Sequence, residues 1–372
     1  MSIECRRCVL SSAVDSRLQF DDTGLCSHCQ HYDKSVKFRV ESSLNSQSQL
    51  KRLLDRIKNS GARGEYDCII GVSGGVDSAY VLHLACSYGL RPLAVHFDNG
   101  WNSELAVNNL QSVLGVLNID LVTIVADWDE FRDLQLSFLK ASTPDGEIPT
   151  DHAIFACLWR EAYARKIKFV ITGMNFSTEA YSNPDWAYGH SDWRYIRYIQ
   201  RMYGTMNLRS YPYFSVTDLL RNSISGIRMV SLLNYISYDK NDALLTLKKS
   251  YGWNDYGQKH HESIYTRFWQ GYVLPRKFNI DKRYAHYSDL INSGQLSKAE
   301  AHRMLEQNFY LSEKAEDDRQ YVVKKLRLSD EEFERLMSNR PRNFKEYPNN
   351  FYLIKAIKFV LNLLRSLSIY PR

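Results

Sequence analysis

Apolar and polar positions follow two rhythms along the first half of the chain. Short apolar runs, "YDCIIGV", "PLAVHFD", "IDLVTIVA" and "IKFVITG", have the length and continuity of strands buried on both faces. Between them, "VDSAYVLHLACSYGL", "SELAVNNLQSVLGVLN", "DEFRDLQLSFLKA" and "HAIFACLWREAYARK" carry apolar residues at helical spacing, the first stopping at Gly89. Strands alternating with helices of this length predict β-α-β units. The expected fold class is therefore α/β, a parallel sheet with helices on both faces. A further helix is expected around "LKRLLDRIKN", inside the polar stretch 31–65. Past residue 180 the alternation stops, aromatics crowd "YSNPDWAYGHSDWRYIRYIQRMYG", and the last third reads as mostly helical. The expected division is a small module at 1–45, the α/β domain at 46–205 and a helical substrate or partner region at 206–372.

The turn from the first strand into its helix reads Ser73-Gly74-Gly75-Val76-Asp77-Ser78. In a parallel sheet that turn lies at the carboxyl edge, where ligands bind. Unpaired amides at the helix start favour an anion, and two glycines let the backbone approach it without a Cβ in the way. Ser73 and Ser78 can add hydroxyl groups. No third glycine completes G-x-G-x-x-G, and no lysine follows as in a Walker loop, so neither common phosphate motif applies. A plain serine-capped glycine turn is the bland alternative.

Four of the seven cysteines lie in the first 30 residues. Cys5, Cys8, Cys26 and Cys29 form two C-x2-C hooks with 17 residues between them, and Thr23-Gly24 marks a turn that brings the second hook back. Four thiolates in this spacing suit one tetrahedral zinc ion, which would organise a module too small for its own core. The amino terminus lacks an apolar signal segment, so a disulfide framework is not expected. His28 sits inside the second hook, but four cysteines leave no ligand position for it. Cys68, Cys86 and Cys157 lie in apolar surroundings and read as core.

Composition changes this picture little. Apolar residues make up 44% of the 372, charged residues 24%, and the net charge is +6. The mild basicity favours phosphorylated ligands without a long cationic tract for nucleic acid. Near the end, "FYLIKAIKFVLNLLRSLSIY" has the length of a membrane span but contains two lysines, an asparagine and an arginine. It reads as an amphipathic helix packing on the body, with a peripheral membrane contact as the alternative. The expected location is cytoplasmic.

"SGGVDS" behind an apolar strand resembles the pyrophosphate loop of the N-type ATP pyrophosphatases, the PP-loop superfamily. The resemblance implies an adenine nucleotide alpha hydrolase-like fold in which Val72, Ser73, Gly74, Gly75, Val76, Asp77 and Ser78 bind ATP. Ser73, Asp77 and Ser78 would act in catalysis, and Asp77 would organise magnesium. "HFDNGWNS" puts Asp98 and Asn99 at the end of the second strand for ribose or adenine, and "ITGMNFSTE" puts Gly173 and Asn175 near the nucleotide.

Five longer blocks resemble the N-acetyl sugar amidotransferases of lipopolysaccharide and surface-glycan biosynthesis, in that family's order. They are "CRRCVLSS…FDDTGLCSHC", "GVSGGVDSAYVLHLA", "VHFDNGWNSELAVNN", "PTDHAIFACLWREAYARKIKFVITGMNFSTE" and "KHHESIYTRFWQGYVLPRKFNIDKRYAHYSDLINSGQLSKAEA". The resemblance implies adenylylation of an acetamido oxygen on a nucleotide-linked sugar, then displacement of AMP by ammonia. No glutaminase nucleophile is evident in the sequence. The implied partners are a separate triad-type glutaminase and a cyclase-like barrel subunit, both resembling those of histidine biosynthesis. The basic block contains Lys259, His260, His261, Arg267, Arg276, Lys277, Lys282 and Arg283. It is read as facing substrate and phosphate, with Lys282 and Arg283 as catalytic candidates and His260 as a substrate contact. Asp151 and His152, expected to start a helix that Thr150 or Asp151 caps, could reach the same site. Arg160 is a further candidate for phosphate.

The competing reading is a tRNA-modifying enzyme on the same loop, a thiolase or lysidine synthetase. Cys157 stands alone in "FACLWR", where the two-thiocytidine enzymes carry paired cysteines. A zinc-ribbon adaptor with a degenerate nucleotide fold is the non-enzymatic alternative.

Overall fold

The structure is a computed structural model that describes residues 2–40, 43–256, 261–307 and 312–366. Among the described residues five strands form one parallel sheet: β1 (Cys68–Gly71), β2 (Pro92–Asp98), β3 (Leu121–Val125), β4 (Phe169–Thr172) and β5 (Arg228–Ser231). Their order is β3-β2-β1-β4-β5, with Ile69 opposite Leu93 and Val170, and Ile70 opposite Ala94 and Ile171. The chain reverses its direction of travel across the sheet between β1 and β4, which opens a crevice at their carboxyl ends.

Successive strand residues point to opposite faces, and both faces are covered. Cys68, Ile70, Ala94 and Ile171 pack with Leu53, Ile57, Val81, Leu82 and Leu110 from the helices Ser43–Gly61, Val76–Ser87 and Glu104–Leu117. Ile69, Leu93, Val95 and Val170 pack with Leu158 and Ala162 of the helix Ile148–Ala164. Each fully buried aliphatic side chain contributes about 1.5–3 kcal/mol, so the central strands anchor the loops at their ends. The parallel α/β architecture expected from the two rhythms is the one observed.

Two expectations need correction. The sheet extends past residue 205, because β5 pairs with β4 from Phe169–Arg228 to Thr172–Ser231. Its four residues, "RMVS", form a partly exposed edge strand without an apolar run. The helix expected to begin at Asp151 begins at Ile148, with Pro149 in its first turn and no side chain capping it. Proline has a suitable φ there and lacks an amide the first turn could not use. The carboxy-terminal segment is a helix as expected, Phe351–Ser366, packing through Phe351 on Tyr188 and Phe344, while Tyr352, Leu353 and Phe359 are exposed. No described helix is long and apolar enough to cross a membrane.

A second core, rich in aromatics, joins the edge of the sheet to the helices beyond residue 190. It gathers Trp101, Phe131, Phe138, Tyr195, Phe268, Trp269, Phe333 and Phe344 around buried acids. The cysteine module docks on this half. His28 Nε2 lies 2.8 Å from Asp289 Oδ1, whose other oxygen accepts the Tyr181 amide at 3.0 Å. Tyr181 in turn donates its hydroxyl to Asp15 at 2.6 Å.

Candidate active site

The glycine loop joins β1 to the helix Val76–Ser87 at the β1/β4 crevice. Gly74 has φ +81°, and a Cβ there would lie 2.9 Å from the Ala106 carbonyl oxygen. From the neighbouring strand, a Cβ at Gly173 would lie 2.8 Å from the Ser78 nitrogen. Both positions require glycine, for conformation at the first and for close approach at both. Ser78 donates its hydroxyl to the Gly75 carbonyl at 2.9 Å, and Ser73 Oγ accepts the Gly75 amide at 3.3 Å. The two serines thus shape the loop from inside.

Three side chains from the distant second half complete the loop, and the sequence reading missed them. Tyr256 accepts the Val76 amide at 2.9 Å, so a phosphate binding that amide takes the place of the hydroxyl. Tyr238 donates its hydroxyl to Asp77 Oδ1. Glu262 lies beside Gly75, where a Cβ would be 3.0 Å from its Oε1. No local motif marks these residues; they are separated from their loop partners by more than 160 positions. Asp77, in the first turn of the helix, offers a hard oxygen donor, the ligand type magnesium prefers, as the resemblance implies.

The strand ends sit where expected, but their polar groups serve the loops. Asp98 Oδ1 accepts the Gly100 amide at 2.8 Å, and Asn99 bridges from the Trp101 amide to Thr150 Oγ1 at 2.9 Å. Asn175, buried, accepts the Thr178 amide at 2.9 Å in an Asx turn that orders the backbone after Gly173.

The Asn99–Thr150 bond ties the end of β2 to the start of the helix Ile148–Ala164. Glu147 there accepts Lys282 Nζ at 2.8 Å and Gln270 Nε2 at 3.0 Å. Asp151 pairs with His190 at 3.2 Å. Desolvation opposes charge on His190, but Asp151 and Asp145 together hold its pKa above the ordinary histidine value. Asp145, fully buried, is pushed up to about 6 by burial.

Several candidates lie elsewhere. Arg283, next to Lys282, turns away to make a paired contact with Asp281 at 2.8 Å and to donate to the Gln307 carbonyl. Neighbours on a helix point about 100° apart, so both could not face one site. Arg160 is about 14 Å down the helix from Asp151. It reaches the Tyr213 carbonyl in a separate cavity of about 210 Å³, shared with Trp159 and Arg221. His152 points into the aromatic core, stacked on Phe214 at 4.3 Å, and burial lowers its pKa to about 4. His260 and Lys259 lie outside the described residues. Three other cations of the basic block hold the fold. Arg267 pairs with Asp318 at 2.6 Å, Arg276 stacks on Tyr272, and Lys277 donates to the carbonyls of Leu336, Met337 and Asn339.

The four sulfurs of Cys5, Cys8, Cys26 and Cys29 lie within 4.8 Å of one another and are buried. The Cys5–Cys29 and Cys8–Cys26 separations are 3.8 and 3.7 Å. A tetrahedron of sulfurs about 2.3 Å from zinc has edges of about 3.8 Å, so the cluster fits that ion. Gly24, with φ +79°, makes the turn between the hooks. Cys68 and Cys157 are core residues.

Residues 262–360 match the family described as LPS biosynthesis protein WbpG-like, C-terminal domain. Glu262, Tyr265, Gln270 and Lys282 all belong to this WbpG-like segment, so one domain reaches both the glycine loop and Glu147. No curated protein matches the chain. Among solved structures, it is similar to NMN synthetase from Francisella tularensis, at 16% identity and a TM-score of 0.38, covering 76% of this chain and 97% of that one. It is also similar to an NH3-dependent NAD synthetase from Campylobacter jejuni, at 16% identity and a TM-score of 0.29, covering 56% and 93%.

Proposed function

We propose that the chain is an ATP-dependent, AMP-forming C–N ligase. It adenylylates the acetamido oxygen of a nucleotide-linked N-acetyl sugar, and ammonia then displaces AMP to give an acetamidino sugar for lipopolysaccharide or a related surface glycan. The observation that carries this reading is the glycine loop at the β1/β4 crevice, with Gly74 and Gly173 where no side chain fits. The WbpG-like match supports the glycan side of the proposal.

An amide carbon resists ammonia because its oxygen leaves poorly. Transfer of AMP to that oxygen makes it a phosphate leaving group. The loop amides from Gly74 to Ser78 would hold the β,γ-phosphates, and Asp77 would hold magnesium, which when bound neutralises charge on the departing pyrophosphate. Asp98 and the Gly173 backbone flank the nucleoside, and the region beyond residue 206 selects the acceptor. The cysteine module would hold zinc as a structural ion. Ammonia would come from a separate glutaminase through a barrel subunit, and we place the reaction in the cytoplasm, where ATP and nucleotide sugars are available.

The test is AMP formation by the full chain with ATP, magnesium, ammonium chloride and UDP-linked N-acetyl sugars. AMP release dependent on both sugar and ammonium supports the reading. AMP release that needs tRNA and ignores the sugar overturns it in favour of tRNA modification, and no ATP cleavage under any condition favours the adaptor.

A further inference from the structure

The helical run Ile264–Phe278 changes to i→i+5 hydrogen bonding between Trp269 and Val273. Such π turns interrupt α-helices mostly at functional sites. This one presents Gln270 to Glu147, while Trp269 packs so tightly on the preceding loop that a Cβ at Gly146 would come within 2.4 Å of its ring. Trp269 Nε1 also donates to the Pro144 carbonyl at 3.2 Å. Glu147 is therefore held in place from its own loop, by Gln270 and by Lys282, with its side chain 14% exposed.

A second observation points to a ligand at this place. The Tyr265 hydroxyl, in a residue 2% exposed and influenced by the Glu147 charge, has no hydrogen-bond partner among the described residues. Leaving such a buried group unpaired is unfavourable, and a bound polar group would recover the loss. The same segment begins at the glycine loop, where the Glu262 carboxylate lies beside Gly75 and its backbone carbonyl accepts the Ser103 amide at 2.9 Å. From Ile264 to Gln270 the helix rises about 9 Å.

We propose that Glu147 is a catalytic residue that receives ammonia beside the activated acceptor and pairs with the amidinium cation as it forms. The proposal rests on the amidotransferase reading above. In the first step the amide oxygen bonds to the α-phosphorus and pyrophosphate leaves with the electron pair of the broken P–O bond, giving a nitrogen-protonated imidate. In the second step ammonia bonds to the imidate carbon, and the C–O bond breaks with its pair going to AMP. One proton passes from the added nitrogen to the departing phosphate, leaving an amidinium. Lys282 on one carboxylate oxygen disfavours ammonium and so favours neutral ammonia. Tyr265 hydrogen-bonds the acceptor.

The experiment compares the full-length protein with Glu147→Gln and Glu147→Asp, using ATP, ammonium chloride and a panel of UDP-N-acetylhexosamines and hexosaminuronic acids. AMP and amidine are both counted. The wild type should yield one AMP per amidine. Glu147→Gln should slow amidine formation about 100-fold or more, while AMP per amidine rises above about ten because water intercepts the imidate. Glu147→Asp should recover at least about fivefold of that loss. Amidine formation by Glu147→Gln within about threefold of wild type, still one AMP per amidine, overturns the proposal and leaves the reaction standing. Equal losses of AMP and amidine in both variants assign Glu147 a structural role and also overturn it. Absence of sugar-dependent AMP from the wild type removes the amidotransferase reading itself, and this inference with it.

Discussion

The two halves of the molecule are held together by different chemistry. Around the glycine loop, aliphatic side chains cover both faces of a parallel sheet, and the loop geometry comes from the backbone. In the aromatic half, buried acids tie irregular chain segments together. Glu130 accepts the amides of Arg209, Ser210 and Tyr211, and Asp133 those of Thr205 and Met206. Asp192 accepts the amide of Asn350 and the hydroxyl of Tyr188. A nonpolar core tolerates changes of pH and ion content that a core built on ionised carboxylates and thiolates does not. The half around the glycine loop is thus the robust one, and the aromatic half with its cysteine module is the conditional one.

The largest effect expected from breaking this contrast comes from the cysteine cluster. Cys26→Ser, or chelation, should remove one zinc per chain and a binding free energy on the order of 10 kcal/mol. Hydrogen exchange should then rise in residues 2–40 and in the helix Lys282–Asn292 that carries Asp289, while β1, β2 and β4 stay protected. Loss of protection throughout the sheet would remove the distinction between the halves.

Next comes the backbone of the loop. Gly74→Ala and Gly173→Ala should each lower ATP cleavage about 100-fold or more while costing about 1–3 kcal/mol of stability, measured by steady-state AMP release and urea unfolding. Wild-type rates from both variants would mean that the crevice does not seat the nucleotide.

Two acids in the aromatic half should show opposite pH signatures. Burial opposes ionisation of Asp133, but hydrogen bonds from Met206, Thr205 and Gln200 lower its pKa. Its stabilisation is complete above the unfolded value of about 3.9 and is lost as pH falls through the lowered folded value. Asp145, pushed up to about 6 by burial, takes up a proton in the folded state first, so its contribution declines as pH rises from about 4 through 6. Urea unfolding across this range should show that decline in wild type and a flatter profile in Asp145→Asn. The smallest effect belongs to Arg160→Ala, expected to change AMP-forming turnover less than about threefold because no glycine-loop residue lines its cavity.

Much of the half around the glycine loop was legible because its central strands are buried on both faces and read as unbroken apolar runs. Strand β5 was not, since four half-buried residues leave no periodic trace. The glycine loop was legible as a local motif, and so were the cysteine hooks. Tyr238, Tyr256, Glu147 and Glu262 were not, because their roles arise from contacts between distant segments and none sits in a recognisable pattern. The basic block misled for a physical reason: cations near the end of a helical chain can satisfy buried carboxylates and helix carbonyls as readily as phosphate, as Arg267, Lys277 and Arg283 do.

The most direct test of the account follows the acceptor oxygen. An N-acetyl sugar nucleotide labelled with oxygen-18 in its acetamido carbonyl would be incubated with the full chain, ATP, magnesium and ammonium chloride, and the AMP analysed by mass spectrometry. The account predicts one labelled oxygen in each AMP and none in the pyrophosphate, because the amide oxygen leaves bonded to the α-phosphorus. Unlabelled AMP alongside a converted sugar would contradict it.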